Sequence, residues 1–271
     1  MNDVLLHVSE GRGKIDKACR ARREEVRGQI AGHRPGAPLP EVTYSEEENV
    51  LWQTVISRLN AIHPDVACSL YLKATDRIAL PITRVPRMQD ISDQLRSHTG
   101  FQLIPAGDLV RPQDFYSTFT DGYFQSTMYM RCPAVPLYSP DPDVLHELVG
   151  HAVMLTDPLF ADLYRSFGKA VALCQSEDKV KEISKVFWYT METGLVRESG
   201  GLRAYGAALL SSVGELESIT KVDLMEFSIE KMLNQPYDIY QYQPMLFVVD
   251  SIDVLANEIR NFLDDQLRDQ S

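Results

Sequence analysis

Two of the six histidines share one short stretch, Pro142-Asp-Val-Leu-His-Glu-Leu-Val-Gly-His151. Imidazole suits zinc, copper, iron and nickel, so a histidine pair with an acid nearby points to a metal site. The zinc-protease pattern sets its histidines four apart, roughly 40° around a helix, and both rings reach one ion. Here the second histidine follows five after the first, because Gly150 occupies the fourth place. Five residues are about 140° apart on an ideal α-helix. His146 and His151 can converge only if His146 sits at the helix entrance or the helix is locally distorted. This spacing counts against a zinc hydrolase with Glu147 as general base, the alternative of a different class. The best third ligand is Glu192, within Val186-Phe-Trp-Tyr-Thr-Met-Glu-Thr-Gly-Leu195. A carboxylate among aromatic residues is costly to bury unless it is paired or binds a metal. A Glu192 turned to solvent or paired with an arginine is the plain structural alternative. Two imidazoles and one carboxylate on a single face leave the opposite coordination positions open, the arrangement of non-haem Fe(II) oxygenases.

These groups need elements to hold them. A mixed-charge helix is expected over about Ile15–Ile30, followed by the break Gly32-His-Arg-Pro-Gly-Ala-Pro-Leu-Pro40, whose prolines remove donors and disfavour helix. Residues 1–40 read as an N-terminal arm and 41–271 as the catalytic part of one domain. Ser45 followed by three glutamates reads as a helix start, with a serine cap and acids in the first turn. Leu51, Val55 and Leu59 then mark its apolar face. Helical spacing recurs through Phe160, Leu163, Phe167 and Val171, through Val180, Ile183 and Phe187, and from Ile252 to Leu267. Strand candidates are few, near Phe101–Ile104 and Leu246–Val249. The fold class expected is mainly α, one catalytic domain with a small β element.

Composition narrows the partners. With 44% apolar and 24% charged residues, the chain has ordinary globular usage. A net charge of −11 argues against nucleic acid or an anionic membrane, since phosphate binding needs a positive field. Arg20, Arg22 and Arg23 are followed by Glu24 and Glu25 and read as a solvated helix face. The N-terminus has no signal-peptide pattern. The four cysteines, Cys19, Cys68, Cys132 and Cys174, form no CxxC pair and need not bridge. A reduced, cytoplasmic setting is the expectation.

The two quoted stretches, together with Ala204-Tyr-Gly-Ala-Ala-Leu-Leu-Ser-Ser-Val-Gly-Glu215, resemble the catalytic domain of the pterin-dependent aromatic amino acid hydroxylases, most of all that of phenylalanine hydroxylase. Weaker likenesses at Arg20-Ala-Arg-Arg23, at Tyr44-Ser-Glu-Glu-Glu48 with Trp52, and at Tyr242-Gln-Pro244 extend it over about residues 15 to 265. The resemblance implies Fe(II) held by His146, His151 and Glu192. It also implies a tetrahydropterin stacked on Phe115 and flanked by Val110 and Phe187, with Glu147 close by, and O2 as co-substrate. The metal and cofactor would carry the chemistry, while the protein supplies open coordination, orientation and a dry pocket. Arg131 matches the residue that grips the substrate carboxylate, and Asp143 the acid that steadies it. The helix N-cap role open to Asp143 is compatible with that. Ser139 and Ser211 match hydroxyl positions near the substrate and Trp188 a pocket wall. Tyr205 and Glu215 match supporting positions.

Departures from the family bear on the product. Thr193 stands where a phenylalanine commonly follows the glutamate ligand, and Ala208 where the family commonly has glycine. Both are expected to line the substrate pocket, so the ring could sit rotated or shifted, and small misplacements change reactivity steeply. The expected substrate is phenylalanine, giving tyrosine or meta-tyrosine, with tryptophan as the alternative. Near the pterin, Pro112 replaces a serine and Phe187 a tyrosine. A further rival is a non-catalytic domain that kept the fold. By its length the chain is expected to lack amino-acid-sensing allostery and to be a monomer or at most a dimer.

Overall fold

The computed structural model describes residues 17–107, 110–134, 136–137, 141–238 and 242–268. Ser139, one of the expected substrate residues, lies outside them, as do residues 15 and 16 of the expected N-terminal helix.

Helices dominate, and Lys17–Ile30, Glu46–Val66, Pro158–Leu173, Glu177–Phe187 and Ile252–Arg268 stand where they are expected, while the 12-residue helix Met88–Thr99 is not among the expected ones. The second begins with a complete capping box. The Ser45 hydroxyl accepts from the Glu48 amide, and the Glu48 carboxylate accepts from the Ser45 amide. Two orphan donors are thereby satisfied, worth about 1 kcal/mol relative to an uncapped start. Leu51, Trp52, Val55 and Leu59 on its inner face are fully buried.

Among the described residues, six short strands form two sheets. Strands β1 (Gln102–Ala106) and β2 (Tyr123–Thr127) pair in parallel, Leu103 opposite Phe124. Strands β3 (Leu195–Glu198), β4 (Gly201–Ala204), β5 (Asp223–Glu226) and β6 (Met245–Val249) make the second sheet in the order β4-β3-β6-β5. β3 and β4 are antiparallel, and the β3–β6 and β5–β6 pairs are parallel. Strands β1 and β6 coincide with the expected candidates. The other four are four or five residues long and carry too little alternation to announce themselves.

The expectation of four unbridged cysteines is corrected at one pair. Cys19 and Cys132, 113 residues apart, are joined by a disulfide, while Cys68 and Cys174 are free and buried. The N-terminal helix lies across the segment that carries Cys132, a proximity that cysteine spacing cannot reveal. Arg23 of the same helix ion-pairs with Asp141 at 2.7 Å and rests 4.3 Å over the Tyr129 ring. Among the described residues, no helix is long and apolar enough to cross a membrane.

His63 lies inside the core, edge-on to Tyr71 at 4.9 Å, and its Nε2–H donates to the Leu210 carbonyl at 2.8 Å. Burial lowers its pKa to about 4, against the smaller opposing effect of that bond. Unfolded, the imidazole protonates near pH 6.5. The stability that the neutral ring contributes is thus full above pH 6.5 and is lost as pH falls from there to about 4, on the order of 3 kcal/mol in all. Urea midpoints measured across that range should fall less steeply, by about one proton, in His63→Gln than in the wild type; parallel curves would contradict this.

Candidate metal centre and adjoining cavity

The histidine spacing is accommodated by both of the devices either of which would allow it. The helix begins at Asp143, whose carboxylate accepts from the His146 amide at 3.0 Å, and three residues later the backbone goes over to π-helical bonding, His146–Ala152. In the π register the Val153 amide reaches back five residues to Leu148, so side chains five apart fall roughly one turn apart. Gly150 is required by the same arrangement, because a Cβ there would lie 2.5 Å from the Ala207 carbonyl oxygen. A second π segment, Trp188–Glu192, ends the helix Glu177–Phe187 and delivers Glu192. Gly206 passes so close to the Glu192 carbonyl that no side chain fits between them.

Three donor atoms meet as a result. His146 Nε2 and His151 Nε2 are 3.0 Å apart, His151 Nε2 is 3.2 Å from Glu192 Oε1, and His146 Nε2 is 3.8 Å from Glu192 Oε2. They are the His/Cys/Asp/Glu group that could hold a metal among the described residues. Ligands bound at ~2.1 Å and at right angles lie roughly 3 Å apart, so the spacing suits three ligands on one face of an ion. The alternative of a solvent-turned or arginine-paired Glu192 is set aside, since its side chain is 12% exposed and faces the two imidazoles. Its Oε2 is buried without a hydrogen-bond partner, and a buried orphan carboxylate oxygen is costly unless a cation serves it.

Protonation supports the same assignment. The Ser211 hydroxyl lies 2.8 Å from the Ala207 carbonyl and 3.0 Å from His146 Nδ1, and with its hydrogen on the carbonyl it accepts from Nδ1. The His146 proton is then on Nδ1, and its Nε2 lone pair points at the other ligands. Burial, with His151 as a second cause, lowers the His146 pKa to about 4 and keeps that ring neutral. Burial would lower His151 as well, but the Glu192 carboxylate raises it above the ordinary value. Glu192 in turn is held below its ordinary value, because the histidines outweigh the upward push of burial.

Around this cluster lies a cavity of about 300 Å³. It is lined by Val110, Phe115, Phe187 and Glu147 from the expected cofactor set and by Arg131, Trp188, Thr193, Ala208 and Ser211 from the expected substrate set. Asp143 stands behind Arg131, and Ser139 lies outside the described residues. Arg131 is fully engaged on one edge, with Nε and Nη2 donating to the two oxygens of Asp143 at 2.9 and 2.8 Å. The Asp143 carboxylate also accepts the Arg131 and His146 amides, so it is both N-cap and arginine partner. Burial would raise its pKa, yet the guanidinium and these donors keep it below the ordinary value. Glu147 accepts at one oxygen from both the amide and the hydroxyl of Thr127, each at 3.0 Å, and burial pushes its pKa up to about 7. Burial also lifts Glu215, another lining residue, to about 7.

Several lining residues escaped the sequence reading: Tyr116, Gln125, Thr127, Ser184 and Tyr237. Tyr237 stacks on Trp188 at 5.5 Å, a contact from a segment 49 residues away that carries no motif. The helical spacing on Glu177–Phe187 could have offered Ser184, a hydroxyl on its buried face.

The comparisons agree with the geometry. The family model for biopterin-dependent aromatic amino acid hydroxylases matches residues 7–270, and the chain belongs to that family. It is 40% identical over 249 residues to the phenylalanine 3-hydroxylase of Streptomyces coeruleorubidus, covering 92% of this chain and 89% of that one. It is 37% identical over 257 residues to the tyrosine 3-monooxygenase of Drosophila melanogaster, covering 93% of this chain but only 44% of that longer one. Its fold superposes, with a TM-score of 0.76 and 29% identity over 83% of this chain and 84% of the other, on Chromobacterium violaceum phenylalanine hydroxylase containing iron(III) and 7,8-dihydrobiopterin. The chain is an enzyme of this class, a non-haem iron monooxygenase of aromatic amino acids. The zinc-hydrolase and non-catalytic readings are thereby displaced.

Glu192→Gln should weaken Fe(II) binding by more than about 100-fold, while the unfolding midpoint of iron-stripped protein moves by no more than a few degrees. Fe(II) should raise that midpoint in the wild type and not in the variant. Equal iron-induced shifts in the two proteins would show that the carboxylate is not a ligand.

Proposed function

We propose that the chain hydroxylates the ring of phenylalanine at the meta position, using Fe(II), a tetrahydropterin and O2. The observation that carries this reading is the pair Thr193 and Ala208 in the wall of the cavity beside the metal ligands. The likeness to a phenylalanine 3-hydroxylase points the same way. The Thr193 hydroxyl donates to the Trp188 carbonyl at 2.9 Å. Its main effect on a substrate is therefore the volume it leaves open, where a phenylalanine would form a flat wall. Ala208 intrudes by one methyl group where glycine would not. The two changes together favour a displaced ring and a different carbon facing the metal.

The roles of the remaining residues follow from their chemistry. Arg131, with its Nε/Nη2 edge anchored on Asp143 and Nη1 bonded to the Pro136 carbonyl at 3.4 Å, keeps a second N–H on each of Nη1 and Nη2, and this outer edge faces an amino-acid carboxylate. Trp188, with its Nε1–H bonded to the Gln243 side chain at 3.2 Å, is the aromatic wall for the substrate ring. Phe115, edge-packed by Phe119 and Phe124 at 5.0 and 5.8 Å, provides the flat surface for the pterin, with Val110 and Phe187 beside it. Glu147, buried and held by Thr127, can keep or accept a proton near neutral pH beside that ring. His146, His151 and Glu192 would hold the iron from one side, as the arrangement of their donor atoms allows. Bound iron and reduced pterin together supply the activation of O2. The protein orients both partners and excludes water from between them.

Product analysis with phenylalanine, Fe(II), tetrahydropterin and O2 tests the proposal directly: meta-tyrosine is expected, and para-tyrosine alone would end the regiochemical reading. Thr193→Phe combined with Ala208→Gly should move the product toward para-tyrosine. Arg131→Lys, which keeps the charge beside Asp143 but loses the fork, should raise the KM for phenylalanine on the order of 10- to 100-fold and change kcat much less. An unchanged KM would place the carboxylate elsewhere.

A further inference from the structure

The two metal-facing imidazoles are not held alike. His146 is fixed through Nδ1 by Ser211, a residue on the cavity wall. His151 is fixed from the opposite side, within the core, by a residue that no motif marks. Tyr164, on the helix Pro158–Leu173, brings its phenol oxygen to 2.7 Å from His151 Nδ1. We infer that the Tyr164 hydroxyl accepts the Nδ1–H of His151, making Tyr164 a positioning residue that keeps this ring in the metal-binding tautomer; the inference rests on the metal-site reading above.

A neutral imidazole carries one proton. On Nε2 it would sit among the ligand atoms, where His146 Nε2 is 3.0 Å and Glu192 Oε1 3.2 Å away, and the ring could bind no ion through that nitrogen. On Nδ1 it has the phenol oxygen as acceptor and frees the Nε2 lone pair. The phenol could in principle donate or accept, and only acceptance is compatible with ligation.

The surroundings give Tyr164 little freedom to do otherwise. Its ring is fully buried, with Phe119 at 5.2 Å, Phe187 edge-on at 5.4 Å and Phe101 edge-on at 6.4 Å. Phe124 packs on the His151 ring at 4.8 Å. A phenylalanine would fill this aromatic box equally well, whereas a hydroxyl buried there is costly unless it is bonded. The oxygen's bond to His151 meets that need. The same helix contributes Phe160, Leu163 and Phe167 to the core, so the ring position is set by packing and the hydroxyl by the metal ligand.

The test uses 15N-histidine NMR of Zn(II)-loaded protein, with zinc as a diamagnetic stand-in, and Fe(II) affinity by chelator competition. The wild type should show His151 protonated at Nδ1 in a strong hydrogen bond and metal-bound at Nε2. Tyr164→Phe should lose that hydrogen-bond signature and bind Fe(II) at least about 10-fold more weakly, with the melting midpoint of stripped protein little changed. An Nε2-protonated His151 in the wild type, which can be read even if the variant does not fold, would overturn the inference. So would a folded variant with the same spectrum and an affinity within twofold. A wild type that binds no iron at all would remove the metal-site reading, and this inference with it; a wild type that binds iron and a variant that binds it equally would remove this inference alone.

Discussion

The whole arrangement turns on three donor atoms crowded into a dry interior. His146 Nε2, with its proton committed to Nδ1, faces a second imidazole nitrogen at 3.0 Å and a carboxylate with one unsatisfied oxygen. Unless a proton or a cation lies between them, lone pairs and negative charge so close together in a dry interior repel one another. A divalent metal turns that repulsion into three bonds. Two stretches of π-helix, both rare, are present where those ligands are delivered. Each departs from the α-helical bonding pattern in order to turn a side chain inward, and the core packed around it keeps that irregular backbone in place.

A second buried constraint, the Arg131–Asp143 pair, links the metal-site helix to the cavity wall. Asp143 caps the helix that carries His146 and clamps Arg131 in the same carboxylate. An arginine exposed by 3% with no partner would be strongly destabilising. The pair is therefore tolerable because its hydrogen bonds are nearly complete. The benefit is orientation, since the arginine proposed to grip the amino acid and the helix that carries His146 share one rigid anchor. The N-terminal helix, bonded through Cys19 to Cys132 and through Arg23 to Asp141, braces this region from outside.

Much of the fold was legible from residue spacing. The capped helix after Ser45, the helices from Phe160, Val180 and Ile252, and the strands at β1 and β6 follow from apolar periodicity and capping chemistry. The ligand trio was legible as well: five-residue spacing called for a helix entrance or a distortion, and a carboxylate among aromatics is costly to bury without a partner. The strands β2 to β5 were not legible, because they carry too little apolar alternation and owe their existence to neighbours. Nor was the disulfide, which depends on how two distant segments pack.

By itself, then, the amino-acid order determined the helical class, the metal ligands, the arginine and its acid, and the two pocket substitutions at Thr193 and Ala208. Those are properties of local pattern and residue chemistry, carried by short stretches of chain. Tertiary structure alone decided that Tyr237 would stack on Trp188, that Thr127 would hold Glu147, that Tyr164 would reach His151 from behind, and that the Thr193 hydroxyl would be spent on a backbone carbonyl. Most of these contacts join residues far apart in the chain, and all depend on side-chain directions to within about an ångström. Such proximity arises only once helices and strands have packed together, and no spacing rule within one segment encodes it.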